Sequence, residues 1–210
     1  MSIRSLSDLL NDLSLVFTKE KISVNDLIIA FHERGFGFFL FFFALPAALP
    51  LPGLGINTLI ALPLLILTFQ IAMGRENIWM PQSIQKKEFQ KKTLDKWIAK
   101  SMPFIKAIEY FIKPRMGFLT QKGVSNIVGV AAFVMAIYVA IPLPLTNTVP
   151  SFGLALIGIG LMMRDGLAIL GGLLIGLLWI ALLTFALIFL GMEGAEIIKN
   201  FVTSWGNLVQ

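Results

Sequence analysis

Two proline-broken stretches, LPLPGLGINT at residues 49–58 and IPLPLTNT at residues 141–148, decide how this chain is read. Each closes one apolar run and opens another. Proline removes a backbone donor and stops a helix, and the glycines and Asn that follow supply turn chemistry, so each stretch is the tip of a helical hairpin. The first hairpin rises over the seventeen residues from Gly35 to Leu51 and returns from Leu59 to Met73. The second rises from Val124 to Ile141 and returns from Val149 to Met163. Leu49-Pro50-Leu51-Pro52 matches Ile141-Pro142-Leu143-Pro144, and Asn57-Thr58 matches Asn147-Thr148. The returning arms close at Gly74-Arg75-Glu76 and Arg164-Asp165-Gly166, with Asn57 eighteen positions before Arg75 and Asn147 seventeen before Arg164. This is an internal repeat.

Working outward, a fifth apolar block from Leu167 to Leu190 has 24 residues. At 1.5 Å per residue it is about 36 Å of helix, enough to cross a hydrocarbon core of about 30 Å with some tilt. The hairpin arms are shorter, at roughly 22–25 Å for the first hairpin. Arms of that length fit either full crossings completed by loop residues or re-entrant turns.

Composition agrees with a bilayer as solvent. Of 210 residues, 57% are apolar and 14% charged, with a mean hydropathy of +0.83; an ordinary soluble domain carries about 25% charged residues. There is no Cys and one His, His32. That excludes thiolate sites, His triads and HExxH zinc centres. No carboxylate pair or phosphate-cradling glycine loop appears, and His32 beside Glu33 is a poor acid/base pair, so no enzyme, metal or cofactor is expected.

The net charge of +5 is unevenly placed. Between Arg75 and Lys122 eleven basic residues face four acidic ones, while the rest of the chain sums to −2. A basic segment between apolar blocks marks the cytoplasmic side and is not read as a nucleic-acid site. Arg34, Arg75, Lys113, Arg115, Lys122 and Arg164 put all four hairpin ends inside, so the chain is expected N-in and C-out in a bacterial inner membrane. Trp97 among lysines suits an interfacial helix on anionic lipid; a solvated loop helix is the other reading. Pro81, Pro103 and Pro114 mark helix boundaries in this segment.

Before the first hairpin, Leu6, Leu9, Leu10, Leu13, Val16 and Phe17 recur at helical spacing, with Ser5 and Asp8 as a capping box. Ser23 and Asp26 open a second short helix. No cleavable signal peptide is visible. The expected organisation is amphipathic helices at 1–34, a hairpin at 35–76, a basic linker at 77–122, a second hairpin at 123–166, a transmembrane helix at 167–190 and a tail at 191–210. The fold class is an all-α polytopic membrane protein.

Paired Pro- or Gly-interrupted apolar segments point to a site at the repeat interface of a transporter-like fold, because irregular backbone is tolerated at membrane depth only where it lines a cavity. Pro50, Pro52, Pro142 and Pro144 are the helix breaks. Asn57, Thr58, Asn147 and Thr148 are expected N-caps whose helix termini face a polar or anionic solute; the bland alternative is well-capped turns in external loops. Glu33, Arg34, Arg75, Glu76, Arg164 and Asp165 are the edge charges through which any coupling would run, since only Thr68, Gln70 and Thr184 are clearly polar well inside the apolar blocks. Arg34, Arg75 and Arg164 read first as topology anchors and only second as solute ligands. Asp165 beside Arg164 reads either as a buried ion pair or as a surface pair.

The run from Glu20 through Asp26 to Gly37, the Leu45-Pro46 to Gly53 turn, the Gln70 to Arg75 arm ending and the pattern from Pro142 to Gly166 together resemble the ExoD family of bacterial exopolysaccharide-synthesis membrane proteins. The resemblance runs from about Leu6 to Leu190. It implies a multi-spanning inner-membrane protein linked to exopolysaccharide production and, as in the rhizobial namesake, to alkaline tolerance. It carries no catalytic residues. The two functional expectations are a transporter-like protein and a non-catalytic scaffold of envelope polysaccharide assembly. The expected partners are anionic lipids through 77–122, a second copy of the chain and polysaccharide-assembly proteins.

Overall fold

The computed structural model describes residues 7–8, 12, 17, 19–31, 34–49, 56–141, 146–189, 191, 196–197, 199–201 and 203–204; the side chains at 56–58, 97, 101, 104, 107, 108 and 111 lie outside the description. The chain is mostly helical. A strand β1 (Lys21–Ser23) leads into α1 (Val24–Phe31), then α2 (Gly35–Ala48), α3 (Ile56–Ala72), a single turn α4 (Gln82–Gln85), β2 (Glu88–Gln90), α5 (Lys91–Phe111), a 3-10 turn at Gly117–Thr120, α6 (Val124–Ala140), α7 (Thr148–Met163) and α8 (Gly166–Phe189). The four hairpin arms and the fifth block appear as α2, α3, α6, α7 and α8, with ends within three residues of those read from the sequence. Of these, α8 is the one helix among the described residues long and apolar enough to cross a membrane.

The helices pair across hairpins. The most extensive contacts join α2 to α7, α7 to α8 and α3 to α6. These are close, glycine-mediated approaches. A Cβ added at Gly37 would lie 2.6 Å from the Met162 nitrogen, and one at Gly158 2.6 Å from the Phe41 nitrogen. On the other pair, a Cβ at Gly129 would collide with the Ala72 nitrogen. Gly153 and Gly172 bring α7 and α8 together in the same way, each added Cβ falling within 2.7 Å of the other residue's carbonyl oxygen. Small residues let the helix backbones approach this closely.

Buried positions recur at fixed intervals. Leu40, Ala44 and Ala47 of α2 are fully buried, as are Ala132, Ala136 and Val139 of α6, each 92 positions later. Gly37 and Gly129 keep the same interval. On the return arms Ala61, Leu64 and Leu67 are buried, and so are Ser151, Leu154 and Ile157, each 90 positions later. Outward-facing stripes are apolar as well: Leu59, Leu62, Ile66 and Phe69 on α3 with Met73 just past it, and Ile127, Val130, Val134 and Ile137 on α6, are all more than a third exposed. By contrast α7 exposes one large apolar side chain, Phe152, because α2, α6 and α8 enclose it.

Two sequence expectations change. Pro103 does not end a helix: α5 runs through it for 21 residues, with the proline on the exposed face and Leu94, Ile98, Met102 and Ile105 turned inward. The N-terminal and middle segments are not purely helical, since β1 and β2 form an antiparallel pair with Ile22 opposite Phe89. Main-chain bonds extend the pair from Val24 N–H to the Lys87 carbonyl (3.1 Å) and from Lys91 N–H to the Glu20 carbonyl (2.8 Å). The two segments are joined again where Glu109 accepts the Ser7 N–H (2.7 Å) and hydroxyl (2.8 Å). The capping box at Ser23 and Asp26 forms as expected, with Ser23 N–H on Asp26 Oδ2 (2.8 Å) and Asp26 N–H on Ser23 Oγ (3.1 Å). These bonds from Ser23, backbone first and hydroxyl second, hold the Asp26 carboxyl below its ordinary pKa. The Ser5–Asp8 box, His32 and the Trp97 side chain lie outside the described residues.

Candidate functional site

Helix directions divide the site residues between two ends of the bundle. Gly37 faces Met162 while Phe41 faces Gly158, so α2 and α7 are antiparallel; Gly74 faces Asn126 and Gly129 faces Ala72, so α3 and α6 are too. The starts of α2, α6 and α8 and the ends of α3 and α7 therefore share one end, which carries Arg34, Arg75, Arg164 and Asp165. Asn57, Thr58, Asn147 and Thr148 are at the opposite end, beside the turns. Glu33, Pro50, Pro52, Pro142 and Pro144 lie outside the described residues.

At the turn end the expected capping is absent from α7. Asn147 occupies the N-cap position with φ −95° and ψ −51° and makes no side-chain capping bond. Its Oδ1 instead lies 3.0 Å from the Thr146 hydroxyl, which also reaches the Ile141 carbonyl at 2.9 Å. The freed carbonyl after α6 is thus satisfied by a buried threonine, a role the sequence pattern did not assign. One turn into α7, Ser151 is fully buried and its hydroxyl has no hydrogen-bond partner. Proline at 150 is tolerated because first-turn N–H groups have no intrahelical acceptor. Asn57 and Thr58 fall inside the first turn of α3, which begins at Ile56, and not at its cap. The two Asn-Thr pairs share an end but not an arm: α3 packs on α6 and α2, and α7 on α2, α6 and α8.

The charged end is held by two buried polar side chains. Gln70, 5% exposed, accepts the Trp79 N–H (2.6 Å) and donates to the Trp79 carbonyl (3.0 Å), pinning the chain that leaves α3. Asp165, 3% exposed, accepts the Lys113 N–H on Oδ2 (2.9 Å) and the Leu167 (2.9 Å) and Ala168 (3.4 Å) N–H groups on Oδ1. It caps α8 and fastens the chain arriving from α5. An acid at a helix start is favoured by the orphan N–H groups there, and this backbone clamp replaces the choice between a buried and a surface ion pair. Arg75 and Arg164 are exposed and Arg34 half-buried. Glu76 pairs with Lys122 at 3.0 Å, both exposed.

The polar groups inside the apolar blocks are structural. Thr68 donates to the Leu64 carbonyl (2.7 Å) and Thr184 to the Ile180 carbonyl (2.7 Å). With its proton committed, Thr184 accepts from the Tyr138 hydroxyl (2.6 Å), linking α6 to α8. Among the described residues no group of three or more His, Asp or Glu side chains is placed to hold a metal ion.

Comparison with known proteins follows the same residues. The family described as "Exopolysaccharide synthesis, ExoD" matches residues 6–185. An uncharacterized protein of Synechocystis sp. is 30% identical over 82% of this chain and 82% of its own length. Protein ExoD of Rhizobium meliloti is 27% identical over 81% of this chain and 72% of its own. No solved structure matches. Because the match takes in the N-terminal layer, both hairpins and most of α8, the chain belongs to the ExoD family, linked to exopolysaccharide synthesis.

Proposed function

We propose that this chain is a multi-pass protein of the bacterial inner membrane whose two hairpins, related by an approximate two-fold along the bundle axis, form a transporter-like passage serving exopolysaccharide synthesis. One observation carries it: the reciprocal crossing in which Gly37 meets Met162 and Gly129 meets Ala72. The two glycines are 92 positions apart and their partners 90. The left-handed residues that end the return arms, Gly74 (φ 68°) and Arg164 (φ 54°), are also 90 apart, and the Arg75 and Asp165 N–H groups bond back to Gln70 and Gly160 alike. Arg164 thus corresponds to Gly74, one position away from the arginine pairing suggested by sequence.

The apolar outer stripes of α3, α6 and α8 support a lipid-facing surface, and the basic end supports a cytoplasmic N-terminus. The solute site is placed at the turn end, on Asn57, Thr58, Asn147 and Thr148, with the unpartnered Ser151 hydroxyl as the buried group able to bond a polar solute. The role is non-catalytic. Without an ionisable side chain inside the apolar blocks, a proton relay through the bundle is not part of it, and a contribution to alkaline tolerance would run through the edge charges.

Proteoliposomes bearing the parent chain should pass a polar or ionic solute at alkaline pH, and the Asn57→Ala, Asn147→Ala double variant should not. Absence of flux from correctly oriented parent protein overturns the proposal. The β1–β2 pair and the Ser7–Glu109 bonds, which build a folded layer on the charged end, favour a second reading as a scaffold for polysaccharide-assembly proteins. Capture of those proteins through residues 77–122 by a flux-inactive chain would select it.

A further inference from the structure

The tip between α7 and α8 concentrates features that the passage does not use. Among the described residues two non-glycine positions have positive φ, Met116 (52°) and Arg164 (54°), and both flank Gly166, where an added Cβ would lie 2.7 Å from the Met116 Cβ and carbonyl oxygen. A left-handed L-residue costs about 1–2 kcal/mol and persists where its surroundings fix it. Here the fixing contacts are main-chain: Lys113 N–H on Asp165 Oδ2 at 2.9 Å and Gly166 N–H on the Arg115 carbonyl at 2.7 Å. The strained loop therefore presents the exposed side chains of Lys113, Arg115 and Arg164 from a backbone fastened to one buried acid. Asp165, the buried acid at this tip, is taken up by backbone N–H groups. On the same loop Met116 and Phe118 are 41% and 50% exposed. Cations set beside exposed apolar side chains, at the level where apolar helices end, match a headgroup phosphate above an acyl boundary.

We propose that this tip binds the headgroup phosphate of an acidic phospholipid in the leaflet on the charged side, Lys113, Arg115 and Arg164 holding the phosphate while Met116 and Phe118 enter the acyl boundary. This rests on the membrane reading above. The full chain in neutral detergent is titrated with monomeric short-chain phosphatidylglycerol, and binding is read from the rise in thermal unfolding temperature. Phosphatidylglycerol should stabilise where phosphatidylcholine does not. Lys113→Gln with Arg115→Gln should weaken the apparent affinity by about fivefold per cation, read as the shift from each variant's own lipid-free unfolding temperature; the clamp bonds of both residues are main-chain and survive the change. Lys86→Gln with Lys87→Gln removes equal charge from the α4–β2 turn and should leave the affinity intact. Equal loss in both double variants, equal response to phosphatidylcholine, or an equal shift with inorganic phosphate at matched ionic strength overturns the proposal. Flotation with phosphatidylcholine vesicles tests the membrane reading separately: a chain that floats but shows no phosphatidylglycerol preference sinks this site alone.

Discussion

The two hairpins bury matching positions yet live in different surroundings. The return arm of the first, α3, turns a stripe of large apolar side chains outward, whereas the return arm of the second, α7, is enclosed by α2, α6 and α8. Where they correspond, the second hairpin has a fully buried Ser151 for Ala61, Gly160 for Gln70 and a left-handed Arg164 for Gly74. Both arms fasten the loop beyond them, one by a glutamine inside the helix and the other by an aspartate just past it. The same packing problem, a helix end that must hold an adjoining chain, has two local solutions: buried Gln70 within the outward-facing arm and buried Asp165 just past the enclosed one.

The largest test replaces the crossing glycines. Gly37→Leu and Gly129→Leu should each prevent recovery of monodisperse protein, and the milder Gly37→Ala and Gly129→Ala should each cost about 1–3 kcal/mol in detergent unfolding. Near-equal losses sharpen the comparison, and a neutral change at either site breaks it.

Next come the clamps. Gln70→Leu leaves the Trp79 N–H and carbonyl without their partner, and Asp165→Ala strips three N–H groups; each should destabilise by about 1–3 kcal/mol, measured by chemical denaturation. Asp165→Asn, which keeps one acceptor oxygen, should cost less than Asp165→Ala.

Two substitutions make the second hairpin resemble the first. Ser151→Ala removes an unpartnered buried hydroxyl and should be neutral or stabilising by about 1 kcal/mol; if it abolishes solute flux while raising the unfolding temperature, the hydroxyl belongs to the passage. Arg164→Gly relieves a left-handed L-residue and should change stability by less than about 1 kcal/mol, since the glycine also adds freedom to the unfolded chain. A large loss would mean that the arginine side chain holds the tip together.

The smallest effect lies outside both hairpins. Asp26 has a folded-state pKa below its unfolded value, so its capping contribution is present above about pH 4 and is lost as pH falls through the folded value. Asp26→Asn should flatten the acid limb of the stability profile by the modest amount typical of a helix cap.

The apolar helices were legible because each is a long apolar run, although α2 and α3 run through Pro46 and Pro63; the 92-residue interval between buried positions of α2 and α6 is also the interval between the two P-x-P motifs. Three kinds of feature were not. Pro103 reads as a stop, but on the outer face of an amphipathic helix the freed Ala99 carbonyl is left facing away from the core, so packing of the inner face overrides the break. The β1–β2 pair is too short for a periodic signal and exists because two distant segments meet. Asn147 has the chemistry of a cap but sits in helical dihedrals, so its side chain turns to Thr146. For the site residues, composition directed the reading to helix ends and edges; which end each residue occupies, and that Asp165 bonds backbone N–H groups, required the fold.

The β1–β2 pairing also bears on biogenesis. Lys21–Ser23 cannot find Glu88–Gln90 until the whole first hairpin between them has been synthesised, and the Ser7–Glu109 bonds wait longer still. The layer on the charged end is therefore completed only after the first two apolar helices have left the ribosome. Its assembly acts as a latch that closes behind the first hairpin, and a chain stalled before residue 90 would leave Lys21–Ser23 without its strand partner.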